Sequence, residues 1–331
     1  LKNNNLSILQ CTSEYPCSPK NVGLNVIEKL KKRYKIDIGF SDHTLGFAAS
    51  FAATALGANT TGTQNNAVGS LAGDAITTGS YNNVFGYGAG GSITTANGNT
   101  AMGHTALNNT TTGYNTAFGY EAGYYTTTGT NNTAVGSLTL DANTTASDND
   151  AFGAYALGAV VTGTRNSAFG RSALQENTGD DNIAMGHEAL KLNTTGSKNA
   201  AFAPYALDAN TTGVSNIALG YQALSQNTTG NYNIAIGDQA LYTQTTGGTD
   251  NVAIGRYSQY YAATATYNVS VGNNSLTNSS SGDFNVAVGH EALNDNTTGS
   301  NNTAVGAYAL DANTTASNNI AIGYRALTAN T

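Results

Sequence analysis

The stretch Asn182-Ile183-Ala184-Met185-Gly186-His187-Glu188-Ala189-Leu190-Lys191-Leu192-Asn193-Thr194-Thr195-Gly196 decides the fold, because the chain begins the same phrase again at Asn199. The opening words, in their commonest form Asn-x-Ala-hydrophobic-Gly, occur sixteen times between Asn65 and Gly323. Counted from glycine to glycine, twelve of the fifteen intervals are 17 residues, two are 16 and one is 18; Ala203 replaces glycine in one copy. So short and strict a period specifies a solenoid, in which each coil buries its apolar face by stacking on its neighbours.

In register, the copies become columns. An asparagine stands four residues before the column glycine in all sixteen: Asn65, Asn82, Asn99, Asn115, Asn132, Asn149, Asn166, Asn182, Asn199, Asn216, Asn233, Asn251, Asn268, Asn285, Asn302 and Asn319. A carboxamide has two donors and a two-lone-pair acceptor, so a stacked column of them is expected to form a structural asparagine ladder. The residue before the glycine is always apolar (Val68, Phe85, Met102, on to Ile322). Two positions earlier Ile or Val is frequent, as at Ile183, Ile217 and Val252. The period-2 rule for strands puts these two on one face, and they are expected to point into the coil. Alanine, which lies between them in fourteen copies, is then expected to face outward and to mark close contact with another chain.

After the glycine comes x-x-Ala-Leu, with leucine in twelve copies, read as a second short strand and the other wall of a thin core. The turn that follows is typically Asn-Thr-Thr-Gly, whose Asn and Gly suit turn geometry. The expectation is an all-β, parallel β-roll of about sixteen coils with two short strands each. At about 4.8 Å per coil it would be roughly 75 Å long.

Composition narrows function. Only 10% of residues are charged, and the net charge is −7. Residues 1–58 carry a net +3 and the remainder −10. A weakly acidic repeat region has no basic stripe for nucleic acid. The longest apolar run, around residues 47–56, is too short to span a bilayer. The opening residues do not read as a secretory leader, and since Leu1 is not an initiator methionine, the native start is expected upstream. Cys11 and Cys17 are the two cysteines, which gives no disulfide framework. His104, His187 and His290 follow column glycines at distances of five and six coils, too far apart to converge on a metal. No cofactor is expected. An ice-binding face would need flat Thr-x-Thr rows, whereas here the threonines are adjacent.

The Asn-x-Ala-hydrophobic-Gly phrase resembles the head repeats of trimeric autotransporter adhesins, and Ala-Leu-x-x-Asn-Thr-Thr-Gly is similar to repeats of phage tail fibres. This likeness covers residues 57–331. It implies a left-handed parallel β-roll that trimerises, an extracellular or virion-surface location, and a fibre or adhesin shaft that meets a cell-surface receptor or glycan.

Residues 1–58 follow another pattern. Strands are expected at residues 6–10 and 36–40, an amphipathic helix at 25–34 and an Ala-rich helix at 47–56, a β-α-β-α order. Ile8-Leu9-Gln10-Cys11-Thr12-Ser13-Glu14-Tyr15-Pro16 and Ile38-Gly39-Phe40-Ser41-Asp42-His43-Thr44-Leu45-Gly46 resemble the sialic acid (N-acetylneuraminate) synthase family. Members condense phosphoenolpyruvate with N-acetylmannosamine or a related sugar on a metal-dependent TIM barrel. By that likeness the segment is the last two β-α units of a barrel and His43 falls at a metal ligand. Gln10 stands where many bacterial members carry a second histidine. A quarter of a barrel cannot close, so no enzyme activity is expected of this chain. The division is therefore 1–58, synthase-like, and 59–331, β-roll. The alternative function is a synthase-type enzyme fused or misjoined to a repeat rod.

Overall fold

The computed structural model describes Ser7–Gln10, Lys29, Lys32, Arg33, Asp37–Phe40 and residues 59–328. Ser7–Gln10 and Asp37–Phe40 are strands, paired in parallel with Ile8 opposite Ile38. Lys29, Lys32 and Arg33 have helical backbone and exposed side chains, as the polar face of an amphipathic helix requires. Cys11, Cys17, His43 and the expected helix at 47–56 lie outside the described residues.

The chain forms two compact units, Leu1–Asn131 and Asn132–Thr331. Repeat strands in the first run from Asn66–Val68 to Thr116–Phe118, and in the second from Thr133–Val135 to Ile320–Ile322. Each strand is the three-residue x-Ala-hydrophobic segment of one coil. Within each unit consecutive strands pair in parallel, each alanine opposite the next (Ala184 with Ala201, Ala201 with Ala218). The result is an all-parallel β-solenoid with a 17-residue step, and residues 59–328 contain no helix.

The strand faces are the reverse of the sequence expectation. The strand alanines Ala101, Ala117, Ala151, Ala184, Ala218 and their equivalents are fully buried, while the flanking residues are half-buried or exposed. A 17-residue coil is thin, and its sheet side holds a small side chain: alanine in fourteen coils, with Val84 and Ser270 buried in the other two. The larger Val, Ile, Phe and Met side chains are turned out.

The Ala-Leu arm also differs from expectation: it is a run of tight turns, not a second strand. Left-handed backbone recurs two and four residues after the column glycine, as at Tyr155 (φ 61°) and Leu157 (φ 50°). This curls the arm inward, so that Ala156 and Leu157 are fully buried; in later coils Ala292 and Leu293 share one core cluster with the strand alanines Ala287 and Ala304. Glycine replaces leucine at Gly73, Gly90 and Gly123; in the first two coils the buried Ile76 and Ile93 three residues later supply the missing volume, and in the third the buried residue there is Thr126.

The column position favours glycine through positive φ and the close approach of the next coil. Gly237 has φ 136°, and a Cβ there would lie 2.6 Å from the Gly255 carbonyl oxygen of the next coil. Ala203 alone meets this position with a side chain, at φ 122°.

Candidate functional site

Two buried amide columns run through the coils. In the first, the side-chain oxygen of each column asparagine accepts the backbone N–H of the next: Asn199 N to Asn182 Oδ1 is 3.0 Å and Asn216 N to Asn199 Oδ1 is 2.9 Å. Its amide nitrogen donates to the turn carbonyl of the next coil, as Asn182 Nδ2 does to Gly196 O at 2.9 Å. The same geometry links Asn65, Asn82 and Asn99 in the first unit. It also extends through Asn149, Asn166, Asn233, Asn251, Asn268, Asn285, Asn302 and Asn319 in the second. Asn115 and Asn132 follow the same pattern: the Asn115 backbone N–H donates to Asn99 Oδ1 at 3.0 Å, and Asn132 Nδ2 donates to the Ala146 carbonyl at 2.9 Å.

The second column was missed from sequence. The first residue of the Asn-Thr-Thr-Gly turn has the sequence character of a turn former, yet Asn193, Asn210 and Asn227 are fully buried and stack on their own kind. Asn193 donates to Asn177 Oδ1 at 2.6 Å, Asn210 to Asn193 at 2.7 Å and Asn227 to Asn210 at 2.9 Å. The signal was its fixed phase against the column asparagine, too regular for a solvated turn. Threonines on the exposed side donate to the next coil's carbonyl, as Thr194 does to Thr211 O at 2.9 Å.

The outward strand face carries the surface chemistry. Over nine successive coils it presents Ile183, Ala200, Ile217, Ile234, Val252, Val269, Val286, Thr303 and Ile320 in one row. The neighbouring row is Met185, Phe202, Leu219, Ile236, Ile254, Val271, Val288, Val305 and Ile322. None is charged. Leu219 is 47% exposed and Ile217 42%. At about 4.8 Å per strand the ribbon is about 40 Å long.

Charged groups are sparse. Arg165 and Asp181 form an exposed pair at 2.6 Å, and the guanidinium holds the carboxyl below its usual range. Burial pushes the Asp208 carboxyl up, opposed by a 2.7 Å hydrogen bond from Ser225 Oγ. His104 is sandwiched between Tyr87 and Tyr120, His187 packs edge-on to Tyr205, and His290 stacks on Tyr308. Among the described residues, no three His, Cys, Asp or Glu side chains gather at one point, and no helix is long and apolar enough to cross a membrane.

Comparison with known proteins bears on the N-terminal part. The NeuB family matches residues 1–61. N,N'-diacetyllegionaminic acid synthase of Campylobacter jejuni is 47% identical over 57 residues, which is 17% of each chain. Human N-acetylneuraminate-9-phosphate synthase is 51% identical over 57 residues, 17% of this chain and 16% of its own. The chain thus spans less than a fifth of the length of these relatives. No solved structure matches.

Proposed function

We propose that the repeat region is the shaft of a fibre or adhesin, built from several copies of the chain packed through their outward strand faces. The observation that carries this reading is the uncharged apolar ribbon. With its side chains half-buried to exposed over nine coils, it offers on the order of 1,000 Å², above the few hundred Å² usual for a monomer's largest apolar patch. It is also near the ~800 Å² per partner of a stable interface. A thin core of alanine and leucine leaves each coil little apolar area of its own, so packing against a second copy adds stability the single stack lacks. The repeat likeness implies three copies, placed on a virion or cell surface where the shaft contacts a receptor or glycan. A double substitution Ile217→Asp and Ile236→Asp tests this: with the buried ladders untouched, the particle mass should fall towards one chain. A mass unaffected by two charges on the ribbon would remove the ribbon as the interface.

A second reading is favoured by the synthase match at residues 1–61: a sialic-acid-synthase-type enzyme joined to the rod. It is tested by a single-molecule read of the source DNA upstream of Leu1. A complete barrel in the same frame supports it, and a read that never joins the two halves removes it.

A further inference from the structure

The 18-residue interval, between Gly237 and Gly255, is where the repeat breaks its own rules inside and out. The extra residue enlarges the turn, where Gln244 replaces the buried asparagine and donates to the Gly248 carbonyl. In the next coil Gln259 replaces the core leucine. It is fully buried, and its Nε2 donates to Val252 O at 3.1 Å and Ser270 Oγ at 3.0 Å. Ser258 and Ser270, in place of two core alanines, hydrogen-bond to each other, and Ser258 also reaches Ser275 at 3.1 Å. Both Gln244 Oε1 and Gln259 Oε1 are buried with no hydrogen-bond partner. A core that gives up apolar packing here is unfavourable for the stack, and such departures concentrate at functional sites.

The surface above this polar core is a tyrosine cluster. Tyr242 and Tyr260 stack at 5.1 Å, and Tyr257 and Tyr261 meet Tyr260 edge-on at 5.4 and 4.6 Å. Tyr257, Tyr260 and Tyr261 border a concavity of about 260 Å³, lined also by Gln239, Asn274 and Thr277. The floor is rigid: Tyr261 N donates to Thr277 O at 2.8 Å, and Thr243 Oγ1 to Tyr260 O at 2.9 Å. Tyr261 is half exposed. The Asn274 carboxamide makes no hydrogen bond among the described residues. Gln239 uses its Nε2 on Gln222 at 2.7 Å and keeps its oxygen for another donor. Every lining side chain is neutral. At the rim, Arg256 lies over the Tyr257 ring at 4.4 Å and pairs with Asp238 at 3.7 Å, so no net charge faces the cavity.

We infer that this concavity binds a neutral saccharide, one sugar ring lying against Tyr261 with its hydroxyls met by the Asn274 and Gln239 carboxamides and the Thr277 hydroxyl. Exposed tyrosine faces pack on the C–H face of a pyranose, and side-chain amides match the paired donor and acceptor character of neighbouring hydroxyls. The volume, slightly below the ~300–1,000 Å³ of drug-sized sites, suits one or two sugar rings. An anionic sugar would find no unpaired cation here. The assignment deepens the shaft reading and rests on it, by giving a surface-attachment fibre a lateral contact for cell-surface glycans.

The test uses the full chain on an array of neutral and sialylated glycans, followed by saturation-transfer NMR with the free neutral sugars that score. Transfer to ring protons of at least one neutral sugar is expected, weakened ten-fold or more by Tyr261→Ala and by Asn274→Ala, and retained by Tyr261→Phe. These side chains lie outside the core, so unchanged circular dichroism and particle mass should accompany the loss. Absence of neutral-glycan binding, binding to sialylated glycans alone, or binding that survives Tyr261→Ala would each overturn the inference. An unaltered multi-chain mass in those cases would leave the shaft reading standing.

Discussion

Replacing Asn182 by leucine isolates what one rung of the ladder contributes. In the native stack Asn182 Nδ2 donates to Gly196 O, and its oxygen accepts the N–H of Asn199 at 3.0 Å. Most neighbours keep a partner after the change. Gly196 O still receives Asn193 Nδ2 at 2.8 Å, and Asn166 Oδ1 still receives the Asn182 backbone N–H at 2.9 Å. The Asn199 N–H is the group left without its acceptor, in a residue that is 1% exposed. An orphaned buried donor costs about 1–3 kcal/mol, and the lost bond to Gly196 about 1 more. The total, about 2–4 kcal/mol, falls on one junction because solenoid coils couple to nearest neighbours. Native-state hydrogen exchange reads this directly. Amides of Ile183–Met185 and Ala200–Phe202 should exchange roughly 30-fold faster or more, at 1.4 kcal/mol per factor of ten, while distant coils stay unchanged. Thr194→Val, which removes an exposed bond, is the control and should change exchange little. Rates at both strands within about three-fold of the parent would refute the ladder as a source of stability.

Three further outcomes follow from the same geometry. Ala203→Gly should stabilise its coil by about 0.5–2 kcal/mol in urea denaturation, because relief of the strained backbone (~1–3 kcal/mol) exceeds glycine's added unfolded-state freedom; a destabilised variant would show that position unstrained. Gly237→Ala should do the opposite, since the new methyl would press on the Gly255 carbonyl, and a variant of parental stability would contradict it. Asp208 has a folded pKa raised by burial, so ionisation works against folding: its penalty is absent below the unfolded pKa and grows as pH rises through that value and the folded one. Asp208→Asn should therefore stabilise the chain at neutral pH and lose that advantage near pH 3; an advantage constant with pH would rule out ionisation as its cause.

How much of this was legible in the sequence depends on which residue carried the information. Strand positions were, because the asparagine four before each glycine and the glycine itself bracket a three-residue segment, and every repeat strand falls on it. The facing was not. Alternation gives two solutions, and the usual rule that large apolar residues go inside chose the wrong one. The deciding signal was constancy of size: a stack of equal cross-section cannot enclose a column that varies from Val135 to Phe152 to Met185, but it can enclose alanine. The Ala-Leu arm looked like a strand because Leu157 and Tyr155 are residues that rarely take left-handed backbone. Only the stacking of neighbouring coils makes that conformation pay. The tyrosine concavity was visible as an 18-residue interval and a missing leucine at Gln259, yet its rings come together only once coils are stacked.

The molar mass of the chain in solution tests the central claim most directly. Light scattering on the purified 33.8 kDa chain should give three times that mass, with the apolar ribbons covered. A particle of one chain's mass, stable and soluble with Leu219 and Ile217 open to water, would contradict it.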